Sequence, residues 1–207
     1  RIFCVGANYV AHAIEMGRNP DRDPPFFFAK PSDAIVNADT ILNTSIPYPP
    51  NTINFHYEIE MVVTIGKQAV NIEPDAALSV IWGYGVGIDL TRRDLQKAAK
   101  DKGRPWELGK GFDKSAVISS LSPVSKIDHP EEARIWLAVN ETVKQDSNIN
   151  KLIWSVPEMI SILSKTVTLE PGDIIYTGTP EGVGPITKGD KISGGIDGLG
   201  EISLRVT

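Results

Sequence analysis

At 207 residues, with 41% hydrophobic and 23% charged side chains, the chain can bury a core without disulfide or metal staples. A formal net charge of −5 argues against nucleic acid, which needs a basic face, yet leaves local lysines and arginines able to hold a small anion. No run is long and apolar enough to span a bilayer. The single cysteine, Cys4 in an apolar run, reads as a small core residue and points to a reducing, cytoplasmic setting. The chain opens on Arg1 rather than Met, so a targeting segment upstream stays open.

With 18 Gly and 15 Pro among many short apolar runs, a turn-rich, mostly β fold is expected, in one domain over residues 1–207. Ile2 to Val5 reads as a strand broken by Gly6. Asn8 is placed to cap a helix from Tyr9 to Met16, with Gly17 ending it. On that helix His12 and Glu15 are three apart and share a face. A carboxylate there orients the imidazole and raises its basicity, as a general base requires, although a solvated helix face can carry the same pair. The polar, proline-rich run up to Pro25 reads as an exposed loop, and residues 9–25 together as a mobile lid. Phe26 to Lys30 puts three aromatics in a row, which requires cover on both strand faces; Lys30 is either an anion contact or a strand-end charge. From Ile35 to Pro50, turns and edge strands are expected.

Alternation from Phe55 to Gly66 has a period of two and predicts one strand. Tyr57, Ile59, Met61 and Val63 face one side; His56, Glu58, Glu60 and Val62 face the other. Glu58 and Glu60 then lie roughly 7 Å apart, at about 3.3 Å per residue. Adjacent carboxylates repel and resist burial, and a divalent cation is the simplest compensation, though a solvated strand face fits the spacing too. His56, on the same face, reads as a residue that orients a ligand. Val80 to Leu90 is an apolar, glycine-interrupted strand ending on Asp89, a third candidate ligand; its glycines mark close approach of other groups. Three carboxylates and no thiolate suit Mg²⁺ or Mn²⁺, with Ca²⁺ also open.

A helix follows, with Thr91 as N-cap, Asp94 in capping-box spacing and a stripe of Leu95, Ala98 and Ala99. At most one of Arg92 and Arg93 can point inward, where it can hold a carboxylate. Lys110, between two glycines in the loop from Gly103 to Asp113, is either a partly buried cation that polarises a carbonyl or part of a plain turn. Ala133 to Val143 predicts a hairpin turning at Asn140–Glu141, and Ser155 with Glu158 opens a packing helix striped by Val156, Met159, Ile160 and Leu163. Leu169 to Tyr176 is a turn and strand that delivers the loop Thr177–Pro185, whose threonines and free amides can bind carboxylate oxygens; without a Walker lysine it is no phosphate loop. A hairpin from Asp190 to Val206 ends the chain, with His129 read as a loop residue.

Taken together, the ordered motifs Gly-x-Asn-Tyr-x-x-His-x-x-Glu-Met, Phe-x-Lys-Pro-Ser, His-x-Glu-x-Glu, Gly-x-Asp-Leu-Thr-x-Arg-Asp-x-Gln, Lys-Gly-Phe-Asp and Gly-Asp-Ile-Ile-Tyr-Thr-Gly-Thr-Pro-x-Gly-Val-Gly-Pro strongly resemble the fumarylacetoacetate hydrolase family, nearest its acylpyruvate and fumarylpyruvate hydrolases. The resemblance implies a mixed, strongly curved β roll with few short helices, usually a homodimer, acting on a small 2-oxo acid. It implies Mg²⁺ or Mn²⁺ on Glu58, Glu60 and Asp89, and a water-activating dyad of His12 and Glu15 on the lid. It further implies Lys110 as the polarising cation, and Lys30, Arg93, Gln96, Thr177, Gly178 and Thr179 as substrate contacts. The implied reaction is cleavage of a 2,4-dioxo acid, such as fumarylpyruvate, to pyruvate and a carboxylic acid in aromatic catabolism. Oxaloacetate decarboxylation, related isomerase or hydratase chemistry, and a non-catalytic Ca²⁺- or metabolite-binding domain are the alternatives. Two positions depart from the family pattern: Ala7 stands where arginine is usual, and Gly109-Lys110-Gly111 replaces Ala-Lys-Ser.

Overall fold

The computed structural model describes residues 1–17 and 23–207. Its centre is an eight-stranded mixed sheet. From one edge the order is Phe26–Lys30, Ile2–Gly6, Ile174–Tyr176, Ile59–Ile65, Ile81–Asp89, Ala116–Ile118 and Ile35–Asn37, with Ser122–Pro123 also paired to Ile81–Asp89. Ile2–Gly6 runs parallel to Ile174–Tyr176, and Ile35–Asn37 parallel to Ala116–Ile118; the other pairs are antiparallel. A five-stranded sheet contains the two expected hairpins, Arg134–Val139 with Thr142–Asn148 and Lys191–Ile196 with Gly200–Val206, and Thr44–Ile46 at its edge. Gly184–Ile186, Phe55–Tyr57 and Thr91–Arg92 form a third, small sheet. Helices are few and short; Arg93–Asp101 and Val156–Ser164 have nine residues each. The mostly β, curved mixed fold is as expected.

The strand predicted from Phe55 to Gly66 is two strands. Phe55–Tyr57 belongs to the small sheet and Ile59–Ile65 to the large one, so Glu58 sits where the chain changes sheets. Its neighbour does the same. Ile81–Asp89 stays in the large sheet and Thr91–Arg92 pairs with Phe55–Tyr57. The two departures are held together by Asp89 N–H donating to Glu58 O at 2.8 Å. Alternation could not reveal the break, because all seven residues of Ile59–Ile65 are buried, on both faces.

Two capping expectations fail. Thr91 is in the small sheet, opposite His56, so it cannot cap; Arg92 holds the N-cap place, and its side chain makes no capping bond. Asp94 instead accepts from Thr52 Oγ1 at 2.5 Å, Ile53 N–H at 2.9 Å and Leu95 N–H at 3.0 Å. That helix buries Gln96, while Ala98 is exposed. Asn8 likewise does not cap Val10–Glu15. Its amide donates to Trp154 O at 3.0 Å and Thr177 O at 2.8 Å and accepts from Trp154 N–H at 2.8 Å, pinning the helix entry to the strand-exit loop. The Ser155–Glu158 capping box is present, and Asn140 and Glu141 both adopt positive φ, as a two-residue hairpin turn requires. Of the stretch read as a lid, residues 18–22 lie outside the described residues.

One core cluster joins all three sheets: Phe55 and Tyr57 from the small one, Met61 and Val63 from the large one, and Leu137 and Leu204 from the third, capped by Met159 and Leu163. Cys4 is fully buried, and burial pushes its thiol up, so it is a packed and unreactive residue.

Candidate active site

The crossing of the two sheets brings Glu58, Glu60 and Asp89 together, at 5%, 2% and 0% exposure. One oxygen from each lies within 4.8 Å of the others. Gly87, in register with Glu60, keeps this side of the sheet open to Tyr176: a Cβ there would stand 2.5 Å from that ring. The expected close approach at the strand glycines is therefore real.

Three cations surround the carboxylates. Lys110 Nζ donates to Glu58 Oε2 and Asp89 Oδ2, both at 2.7 Å, from the end of a helical turn, Glu107–Lys110, rather than from an open loop. Gly109 lets that turn pack, since a Cβ would fall 2.9 Å from Gln96 N. Lys30 Nζ lies 2.8 Å from Asp89 Oδ1 and donates to Leu90 O at 3.0 Å and to Lys110 O. Arg93 is the inward arginine: it donates to Glu58 Oε1, and to Gln96 Oε1 at 2.7 Å. Arg92 turns away to Leu108 O and Pro50 O and stacks over Phe112.

Glu60 is treated differently. It accepts Gly178 N–H at 2.6 Å and has no salt bridge among the described residues. Burial, Asp89 and Glu58 push its carboxyl well above the usual carboxylate range. Glu58 goes the other way: burial pushes it up, but Lys110 and Arg93 pull it well below that range. Burial lowers Lys110, yet Asp89 and Glu58 more than reverse this and leave it above its ordinary value. With Glu60 ionised, three positive and three negative groups would make the cluster neutral. The all-oxygen donor set and the uncompensated Glu60 fit a divalent cation, which would hold Glu60 ionised and leave two positive charges to balance a dianion.

His12, 6% exposed, lines the same cleft as the three carboxylates. Its Nδ1 is 3.2 Å from Glu15 Oε2, and Glu15 in turn accepts Gly182 N–H at 3.1 Å. Phe28 and Trp106 form an aromatic wall, ring centroids 5.1 Å apart, with Phe26 edge-on to Trp106 at 6.4 Å. Ala7, at φ 53°, lies on the cleft, as do Gln96, Lys100 and Thr179.

Not every expected contact faces the cleft. Thr177 is fully buried and its hydroxyl donates to Met61 O at 3.0 Å; Gly178 contributes its N–H to Glu60. Lys30 is behind Asp89 rather than on the cleft wall. Among the described residues His56 bonds Asn54 Oδ1 at 2.7 Å and no carboxylate; burial and the Arg93 charge lower it to about 4. His129 pairs with Tyr84 Oη at 2.7 Å, remote from the cleft. Sequence reasoning missed Gln145, which reaches the Thr179 loop from the five-stranded sheet, and the Phe26–Phe28–Trp106 wall. The i, i+2 spacing of the two phenylalanines was a usable signal for the wall; nothing marked Gln145.

Fold and site together define a fumarylacetoacetate-hydrolase-type enzyme, and residues 1–207 match the family model for the fumarylacetoacetate (FAA) hydrolase C-terminal region. The chain belongs to that family. It is 46% identical over 193 residues to the fumarylpyruvate hydrolase of Ralstonia sp, covering 92% of this chain and 98% of that one. The crystal structure of fumarylpyruvate hydrolase from Pseudomonas aeruginosa in complex with Mn²⁺ and pyruvate is similar over the whole of this chain and 89% of its own, at TM-score 0.98 and 52% identity. The mitochondrial oxaloacetate tautomerase FAHD1 of Homo sapiens is 40% identical over 205 residues, 99% of this chain and 90% of that one.

Proposed function

We propose that the chain is a metal-dependent hydrolase that splits a 2,4-dioxo acid, fumarylpyruvate or a close acylpyruvate, into pyruvate and a carboxylic acid. What carries the reading is one cleft where a buried His12, paired with the more exposed Glu15, stands beside three convergent carboxylates and Lys110. Both similar fumarylpyruvate hydrolases support it, and one was seen with Mn²⁺ and pyruvate.

Mn²⁺ or Mg²⁺, held by Glu58, Glu60 and Asp89, would supply charge stabilisation for the 2-oxo acid. His12, oriented by Glu15, takes a proton from water, which attacks the distal carbonyl. The carbon–carbon bond then breaks, its electron pair passing to the pyruvate fragment as an enolate, which is protonated. Lys110 stabilises the developing oxyanion. Arg93, Gln96 and Thr179 hold the substrate, while Lys30 fixes Asp89. The Phe26, Phe28 and Trp106 wall suits a planar unsaturated acyl group. Lys100, four residues beyond Gln96 on the same helix, stands on the cleft to meet a distal carboxylate where Ala7 offers no charge. The reading includes a homodimer working in the cytoplasm on products of aromatic ring cleavage; its support is the family alone.

Pyruvate release from fumarylpyruvate and acetylpyruvate, with Mg²⁺ and then with EDTA, tests the reading, with oxaloacetate as control. Metal-dependent release from fumarylpyruvate in excess of acetylpyruvate is expected. Pyruvate release from oxaloacetate alone would replace the hydrolase by a decarboxylase.

A further inference from the structure

Gln145 lies on the Thr142–Asn148 strand of the five-stranded sheet, 1% exposed. A register shift between Leu137 and Ala138 leaves Lys144 without a partner and turns the Gln145 side chain inward. Its Oε1 accepts Ile59 N–H at 3.0 Å; its Nε2 donates to Pro180 O and to Thr179 Oγ1, both at 2.8 Å. Ile59 is the residue between Glu58 and Glu60, and Thr179 lines the cleft. One buried amide thus ties the acid-bearing strand to the threonine loop.

The polarity of these bonds is forced. Ile59 N–H can only donate and Pro180 C=O can only accept, so the amide has one allowed orientation. The second Nε2 hydrogen must then go to Thr179 Oγ1. Thr179 receives a hydrogen bond on its inner side, and its own O–H is left to donate outward. Thr179 as a residue is 2% exposed and lines the cleft, so an acceptor for its hydroxyl has to come from within the cleft. The carboxylate of a 2-oxo acid is such an acceptor.

We infer that Gln145 is a positioning residue that sets Thr179 as a hydrogen-bond donor to the carboxylate of the bound 2-oxo acid; the inference rests on the hydrolase reading above. Without the amide donor, the Thr179 hydroxyl is free to rotate toward Pro180 O and away from the ligand.

The test uses Gln145→Glu, Gln145→Met, Thr179→Val and Thr179→Ser, with the double variant Q145E/T179V. Pyruvate is titrated into Mn²⁺-loaded protein, Mn²⁺ into stripped protein, and KM and kcat are measured on fumarylpyruvate. Loss of one hydrogen bond to a charged group predicts about a tenfold rise in pyruvate Kd and in KM for Q145E, Q145M and T179V. T179S, which keeps the hydroxyl, loses less pyruvate affinity than T179V; Mn²⁺ affinity is unchanged, and the double variant is no worse than its parents. T179V reads the same bond if Q145M folds poorly, since Ile59 N–H is then left unpaired. Wild-type pyruvate affinity in Q145E, additive losses in the double variant, or a parallel fall in Mn²⁺ affinity would each overturn the inference while the hydrolase stands. A wild type that binds pyruvate through Thr179 but cleaves no acylpyruvate would instead overturn the hydrolase reading and leave the role of Gln145 intact.

Discussion

Replacing Lys110 with methionine removes the ammonium that donates to Glu58 Oε2 and Asp89 Oδ2 at 2.7 Å each, and changes little in volume. Lys110 is 3% exposed and both carboxylates are buried, so bulk water screens their charges poorly once the ammonium is gone. Removing one partner of a buried ion pair destabilises by about 3–5 kcal/mol, because the partner charges remain. In a domain of this size each kcal/mol moves the thermal midpoint by about 2–4 °C, so K110M should melt roughly 6–20 °C below wild type in EDTA. Saturating Mn²⁺ should raise the variant's midpoint by more than it raises that of wild type. The cation balances the carboxylates that Lys110 no longer balances, and it meets one positive charge fewer. Turnover of fumarylpyruvate should fall about 10²–10³-fold through loss of the oxyanion contact. Differential scanning fluorimetry with and without Mn²⁺, beside a pyruvate-release assay, reads all three effects. An EDTA midpoint within about 2 °C of wild type, or an identical loss in EDTA and in Mn²⁺, would refute the charge balance drawn for this cluster.

Gly182→Ala should loosen the seating of the His12 helix. Gly182 has φ 90°, and a Cβ there would sit 2.1 Å from Lys144 O, while its N–H anchors Glu15. About 1–3 kcal/mol of stability should be lost, with kcat falling and Mn²⁺ affinity kept; wild-type kcat would contradict the anchoring. Asp94→Asn should weaken the start of the Arg93 helix in a pH-dependent way. Burial pushes the Asp94 carboxyl up, but hydrogen bonds from Thr52, Ile53 and Leu95 bring it below its usual value. A depressed carboxylate contributes stability above its unfolded pKa and loses it as pH falls through the folded one. Urea unfolding should therefore show D94N weaker by about 1 kcal/mol at pH 7, with the deficit shrinking as pH falls below the usual aspartate range; equal stability at pH 7, or a deficit that acid does not shrink, would remove Asp94 from the account.

Much of the site was legible because its residues declare themselves locally. Glu58 and Glu60 on one strand and Asp89 at a strand end are awkward to bury unless something compensates, and the family motifs fixed their order. Short-range chemistry was legible too, in the Ser155 capping box and the Asn140–Glu141 turn. What was lost depended on distant partners. Thr91 has good capping chemistry, yet pairing with His56 outweighed it. Asn8 reads as a cap, but three bonds to Trp154 and Thr177 claim its amide. The break at Glu58 was hidden because a strand buried on both faces gives no alternation to interrupt. Gln145 lies among exposed Lys144 and Asp146, and only the bulge reveals that it points inward. Thr177 and Lys30 carried the right chemistry, but their hydrogen bonds to Met61 and Leu90 place them behind the cleft.

The claim at the centre of the account is that His12, held by Glu15, activates the water that splits the substrate beside a metal-binding carboxylate triad. The direct measurement is pyruvate release from fumarylpyruvate by His12→Ala at saturating Mn²⁺, set against wild type, with Mn²⁺ affinity determined on the same protein. The account predicts a loss of at least about 10²-fold in kcat, the usual contribution of a positioned general base, with Mn²⁺ affinity unchanged. Release at the wild-type rate by a variant that still binds Mn²⁺ would contradict it.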